Sequence, residues 1–270
     1  MRLRQTVPQP ATAGVAPAMV TEERIARQSR IPRWVSYAGM PLFLALASLA
    51  LYLWVTGQEL DSIEQRQLNS EFITDKLIEH LKLAAVSTLF VIAIAVPLGI
   101  ALTRPFLRRV TPLVVGVANI GQAVPSIGLL VLLAVVSGIG FRYAVIALVA
   151  YSVLPVLRNT MVGLQQVDRS FIEAGRGMGM SKASVLARIE LPLAVPVIMA
   201  GVRTALVINV GTAALATFVN AGGLGDLISN GIALNRTPVL VTGSVLTGIL
   251  ALFIDWLGGV TEDVVRPKGL

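Results

Sequence analysis

The chain has 270 residues, 55% of them hydrophobic and 14% charged, with a net charge of +7 and a mean hydropathy of +0.77. Soluble domains carry about 25% charged residues, so this composition excludes an ordinary soluble enzyme, a disordered chain and a nucleic-acid-binding domain. Zero cysteines exclude disulfide scaffolds, thiol catalysis and cysteine-based metal sites. The basic balance needs no polyanionic partner, because membrane proteins collect Lys and Arg on the loops of one side.

In chain order, the first 33 residues are Pro- and Ala-rich, then charged at Arg24, Arg27, Arg30 and Arg33. They lack a compact apolar core of the kind a cleaved leader needs, and read as a cytoplasmic tail with a short surface helix near Thr21–Gln28. Six stretches then approach the roughly 20 apolar residues a spanning helix requires: Tyr37–Val55, Leu81–Leu102, Thr111–Val136, Tyr143–Val156, Ala194–Val219 and Val239–Trp256. The fourth is short and is expected to extend to Met161, with Arg158 at its inner end. The fold expected is all-α and polytopic, with about six membrane-spanning helices. Four segments follow: a tail (1–33), a first helix with an acidic outer loop (34–76), a core (77–260) holding a long loop (161–193), and a second tail (261–270).

With the N-terminus inside, sixteen of the 22 Lys and Arg residues fall on inner segments and four, Arg66, Lys76, Arg142 and Arg236, on outer ones. The positive-inside rule then predicts both termini in the cytoplasm. The outer loop is acidic at Glu59, Asp61, Glu64, Glu71 and Asp75, and Trp34, Trp54 and Trp256 fall at predicted membrane edges.

The 161–193 loop is far longer than the 2–8 residues that usually join helices. Asp168 is suited to cap a short helix, Gly179 to end it in the left-handed conformation, and Ser181 to cap a second. Pro192 is expected to close the second, with the membrane reached again near Pro196. Phe171, Ile172, Met178 and Met180 offer an apolar surface that the bilayer does not cover, which suits docking of another protein.

Glu173-Ala174-Gly175, then Gly179, then Ile189-Glu190-Leu191-Pro192 resembles the EAA loop of ATP-binding-cassette importer permeases, with Gly175 in place of the second alanine. Gly121–Ser126, Leu157–Thr160, Gly201–Ala205 and Ala221–Ile228 resemble the glycine betaine/carnitine/choline branch of that family. The resemblance covers about Leu77 to Trp256 and implies a type I importer fold in the bacterial plasma membrane. It implies that Glu173, Ala174, Gly175, Gly179, Ile189, Leu191 and Pro192 couple the chain to a separate ATPase present in two copies. It further implies a second permease chain, the same or paralogous, and a periplasmic or lipid-anchored substrate-binding protein. The sequence has no phosphate-binding loop of the Walker type, so no cofactor is expected on this chain. ATP and Mg would sit on the ATPase, whose hydrolysis drives transport. Membrane lipid is the other expected contact, and nucleic acid is not.

Polar residues inside the spans suggest a pathway or gate: Gln122, Pro125 and Ser126 on the third helix beside Asn119, Asn159 and Thr160 on the fourth, and Asn209, Thr212 and Asn220 on the fifth beside Thr217. The alternative for each is a hydrogen bond between helices. The 222–226 glycine run reads as a tight turn, and resemblance places it near an outer gate that faces the binding protein. Arg203 and Asp255 are expected to pair with each other or with lipid head groups. His80 reads as interfacial. No group of aromatic residues suggests a cage for a quaternary ammonium. Within the family the resemblance leaves a permease for another small solute, such as methionine or a sulfonate, as the alternative. An ion-driven transporter is less favoured, since paired carboxylates within the spans are missing, and an intramembrane enzyme is least favoured.

Overall fold

The computed structural model describes residues 33–265, with side chains described from residue 37. The N-terminal tail with its expected helix near Thr21–Gln28, and residues 266–270, lie outside the described residues. From Met40 onward the described residues form one compact unit. Every regular element among the described residues is helical.

Helix α1 (Arg33–Thr56) is apolar along its length, and Leu44 is its one buried residue among the described side chains. The expected acidic loop is instead mostly helical. Asp61 and Glu64 form a reciprocal capping box that starts α2 (Ser62–Gln67). The N–H groups of Glu64 and Ile63 hold the Asp61 carboxyl below its ordinary value, with Arg236 adding to the effect. Asn69 then caps α3 (Ser70–Leu102), which begins eleven residues before the expected span and is about 50 Å long at 1.5 Å per residue.

A 3-10 turn at Pro105–Leu107 leads to α4 (Thr111–Ala123) and α5 (Ser126–Ser137). The third predicted span is therefore not one helix: its halves meet at 96°. The cause is local. A residue before proline is driven out of the helical region, and Val124 and Pro125 are both extended, with ψ of 134° and 131°. Each half is about 20 Å long or less, too short to cross a bilayer alone.

Helix α6 (Phe141–Gln165) runs further at both ends than the Tyr143–Met161 expected. Arg158 thus lies well within a helix. The former loop holds α7 (Arg169–Gly177) and α8 (Lys182–Val185). A π-helical segment, Leu186–Glu190, carries α8 directly into α9 (Leu191–Ala213). Pro192 does not close the second helix. In a regular helix its ring would meet the carbonyl four residues back. The wider π turn, in which the Leu191 N–H donates to the Leu186 carbonyl, gives it room.

A 3-10 segment, Ala214–Val219, ends α9. A glycine-rich turn then leads to α10 (Gly225–Ala233), and α11 (Thr237–Val265) completes the chain, passing the boundary expected at residue 260. Three apolar clusters hold α3, α6, α9 and α11 together. One surrounds Val91, Leu157 and Ile198, one Leu83, Leu148 and Ala213, and one Val210, Leu224 and Leu250. The backbones come close where one side chain is absent: a Cβ on Gly99 would lie 2.8 Å from that of Thr160, and one on Gly201 2.7 Å from that of Asn159. Small residues allow such close contact between helices in a membrane, where dispersion replaces the hydrophobic drive.

Candidate functional site

The best-defined surface site is the pair α7–α8. The Asp168 carboxylate accepts from the Ser170 N–H at 2.8 Å and so caps α7. The Ser181 hydroxyl accepts from the Ser184 N–H at 3.2 Å and caps α8. Between them the chain turns through a Schellman motif. The Met180 N–H donates to the Gly175 carbonyl at 3.1 Å and the Gly179 N–H to that of Arg176 at 3.0 Å. Gly179 has φ +85°, the left-handed conformation that favours glycine at this position.

The first hydrogen bond, from the Ser170 amide, holds the Asp168 carboxyl below its ordinary value of 3.8. A group depressed in the folded state stabilises above its unfolded pKa and ceases to as pH falls through the folded value. The α7 cap is therefore expected to be complete at neutral pH and to be lost at a pH below 3.8. An Asp168→Asn variant, whose amide oxygen still caps but does not titrate, should abolish that acid-dependent loss, followed by amide exchange at Ser170 and Phe171.

Gly175 has a packing reason that its position in the motif did not show. It is buried, and a Cβ there would lie 2.6 Å from the Ile189 Cδ1, so the first and last parts of the loop motif touch. Because that atom is the end of a flexible side chain, Gly175→Ala should offset the contact with a helix-propensity gain of about 1 kcal/mol. Its thermal midpoint should stay near wild type. Gly175→Val should lower stability by about 1–3 kcal/mol through overpacking.

Glu173, Ala174, Phe171 and Met178 are exposed, Met178 at 75%. Leu191 is half-buried and Pro192 exposed at the start of α9. Beneath the pair lies a cavity of about 340 Å³, whose lining includes Ile172, Val185, Arg176 and Lys182. Glu190 and Arg104 also line it, and sequence reasoning missed this pair. The Arg104 guanidinium grips the buried Glu190 carboxylate with both nitrogens, at 2.6 and 3.4 Å, tying the π segment to the end of α3. The signal available was a charged residue between Ile189 and Leu191, in a stretch otherwise headed into the membrane.

The span residues do not share one face. The Asn119 carbonyl accepts from Arg158 at 2.6 Å, linking α4 to α6. Gln122 and Ser126 are half-buried and Pro125 exposed around the break, and Asn159 is half-buried against Gly201. Thr160 is fully enclosed and donates to the Val156 carbonyl of its own helix. Asn209 is also enclosed and donates to the Thr88 hydroxyl at 2.9 Å. Thr212 is buried, whereas Asn220 is exposed at the end of the 3-10 segment with φ 56°. Within this chain Thr160 lies against Gly99 of α3 and Asn209 bonds to Thr88 of the same helix.

Arg203 and Asp255 form the expected pair, with two hydrogen bonds of 2.7 Å. His80 is not interfacial: it is fully buried between α3, α9 and the glycine turn. Its place beside Glu79 and Lys82 at the edge of the predicted span concealed that, because α3 begins earlier than its apolar run.

Among the described residues, five helices long and apolar enough to cross a bilayer, with a sixth broken pair and a capped helix pair between two of them, define a multi-pass membrane protein. Residues 95–266 match the family described as binding-protein-dependent transport system inner membrane component, and the chain belongs to that family. It is 40% identical over 206 residues to the carnitine transport permease protein OpuCD of Listeria monocytogenes serotype 1/2a (strain 10403S), covering 76% of this chain and 92% of that one. It is 41% identical over 204 residues to the glycine betaine/carnitine/choline transport system permease protein OpuCB of Bacillus subtilis (strain 168), covering 76% and 93%. Among solved structures, the MetNI methionine ABC transporter in an inward-facing conformation matches with a TM-score of 0.62 at 28% identity, covering 72% of this chain and 96% of that one. The fold is thus that of a type I ABC importer permease, a multi-pass component of the inner membrane. The match leaves α1, α2 and most of α3, up to residue 94, outside the family region.

Proposed function

We propose that this chain is the permease of an ATP-driven importer for quaternary-amine osmolytes, glycine betaine, carnitine and choline. The α7–α8 pair is its contact with a separate ATPase. The observation that carries the coupling role is the rigid turn at Gly179, capped at both ends, which presents Glu173, Phe171 and Met178 outward. A helix pair fixed at both caps moves as a body when pushed, and the Arg104–Glu190 pair hands that movement to α3. The basic lining of the cavity below, Arg176 and Lys182, suits an acidic side chain from the partner.

In this reading two permease chains form the passage, two ATPases bind ATP and Mg below them, and a binding protein delivers solute from the other side. Both termini are cytoplasmic, in keeping with the Lys and Arg distribution. Gln122, Pro125 and Ser126 at the 96° break, with Asn159, Asn220 and the enclosed Thr160, Asn209 and Thr212 behind them, form the gate region. The substrate class rests on the curated relatives at about 40% identity. The aromatic residues near the spans, such as Phe90, Tyr143, Tyr151 and Phe218, build no cage, so selectivity is assigned to the binding protein.

Uptake of labelled glycine betaine, carnitine, choline and methionine, in cells lacking their own carriers and expressing the chain with its ATPase and binding protein, tests the substrate class. Accumulation of methionine alone would overturn it. Glu173→Lys should reduce co-purification of the ATPase severalfold, because a like charge added beside Arg176 removes the only exposed carboxylate of α7. Unchanged co-purification would remove Glu173 from the interface.

A further inference from the structure

At the end of the bundle opposite α7–α8, the far turn of α3 grips the glycine turn between residues 220 and 226. His80 is the single histidine of the chain. Its Nε2 lies 2.9 Å from the Val210 carbonyl, and its Nδ1 lies 3.3 Å from the Leu224 amide. A carbonyl can only accept and an amide N–H can only donate. The ring must therefore carry its proton on Nε2 and keep the Nδ1 lone pair free to accept. An imidazolium would set one N–H against another.

The neighbouring Glu79 carboxylate accepts from the Gly223 N–H at 3.0 Å. A Cβ on Gly222 would collide with that same carboxylate. Lys76 bridges Glu79 at 2.9 Å and Asp226 at 2.8 Å, and Asp226 accepts from the Thr217 hydroxyl. The charged groups of this clasp are thus Lys76 and Glu79 on α3 and Asp226 on α10. Beneath it Leu224 and Leu227 are fully buried in the cluster with Ala84, Val210, Val239 and Leu250.

Resting on the reading of the chain as a transport subunit, we propose that His80 and Glu79 are positioning residues. They fasten the glycine turn to α3, so that the far end of α3, the turn and α10 move as one body during transport. The seam that opens lies instead along α4–α5. Parting the clasp would expose two buried leucines and leave the Leu224 amide, the Val210 carbonyl and the imidazole without partners, each costly when buried. By contrast α4 has no buried residue, α5 has only Leu130, and the two are joined by two extended residues at a sharp bend.

Labelling the full-length chain with 15N-histidine, in complex with its ATPase and purified on a tag free of histidine, gives one imidazole to observe. The neutral Nε2–H form is the one the two hydrogen bonds accommodate, and it is expected between about pH 7 and about pH 8. An imidazolium or the Nδ1–H form in that range would overturn the assignment. His80→Leu should lower uptake about tenfold, as expected for one buried amide left unpaired. His80→Gln, whose amide also offers one donor and one acceptor, should recover most of it.

Because this chain has no cysteine of its own, Lys76→Cys/Asp226→Cys can be joined by a short bis-methanethiosulfonate reagent with no competing thiol on the permease. The complex with the wild-type permease, treated alike, serves as the control. Uptake and ATP hydrolysis should be the same before and after joining. A loss that a reductant restores would show that the clasp must part, and the single-body proposal would fail. If the wild-type complex takes up none of the osmolytes, the substrate reading fails alone. The imidazole spectrum and the ATP-hydrolysis comparison still decide the role of the clasp.

Discussion

Gly179→Val is expected to abolish coupled uptake while leaving the chain inserted in the membrane. The turn at Gly179 holds φ +85° with no neighbouring atom within 4 Å of a Cβ placed there. The penalty is therefore one of backbone conformation and not of crowding. A left-handed conformation costs an ordinary L-residue about 1–2 kcal/mol, and a β-branched one more. That is small against the burial that holds α3, α6 and α9 together, so insertion survives. It falls wholly on one turn, however, whose two Schellman hydrogen bonds fix α7 against α8.

Gly179→Asn separates the two ways in which the variant could act. Asparagine tolerates the left-handed region, so the turn should form, but its side chain points into the open space where the ATPase is proposed to dock. If both variants lose uptake and ATPase co-purification, the space around Gly179 belongs to the interface. If asparagine alone keeps them, the backbone turn is what matters. Uptake at the wild-type level in both would remove the turn from coupling.

The second large effect is expected at the Arg104–Glu190 pair. The Glu190 side chain is 9% exposed and that of Arg104 29%. Glu190→Leu leaves a half-buried guanidinium without its two hydrogen bonds, a loss of about 2 kcal/mol for bonds to a charged group with some access to water. A thermal midpoint several degrees lower is the expected sign. The functional effect should be larger than the stability effect, because this pair is the direct polar link between the π segment and the end of α3. ATP hydrolysis is expected to continue while uptake falls, as the docked pair moves without carrying α3.

Arg104→Leu with Glu190→Leu tests this further. Removing both charges should restore stability beyond the sum of the single variants, since no unpaired charge remains. It should not restore coupling. Recovery of uptake in the double variant would show that the pair serves stability alone.

What the sequence determined by itself was local. The caps at Asp168 and Ser181 and the left-handed turn at Gly179 depend on residues within one or two turns and appear where expected, whereas the apolar runs marked the spans but not their ends or the break in the third. The Arg203–Asp255 pair was legible because two charges within spans have few other partners. Two prolines have opposite consequences that their own positions do not show. Pro125 splits its helix at 96°, yet Pro192 is absorbed, because a π turn next to it removes the clash.

The tertiary structure alone decided which groups meet across the chain. Glu190 and Arg104 are 86 residues apart, and His80 and Leu224 are 144 apart. Nothing within a few turns of any of them indicates the contact. The same holds for the polar span residues. Hydropathy places Thr160 and Asn209 in the membrane, but whether each faces a passage or a neighbour depends on the rotation of its helix. That rotation is set by where glycines let backbones approach, at Gly99 against Thr160 and at Gly201 against Asn159. In lipid, where hydrophobicity is alike on every face, close packing and the pairing of buried polar groups choose the face. Those choices are made between helices, so a single helix read along its sequence does not contain them.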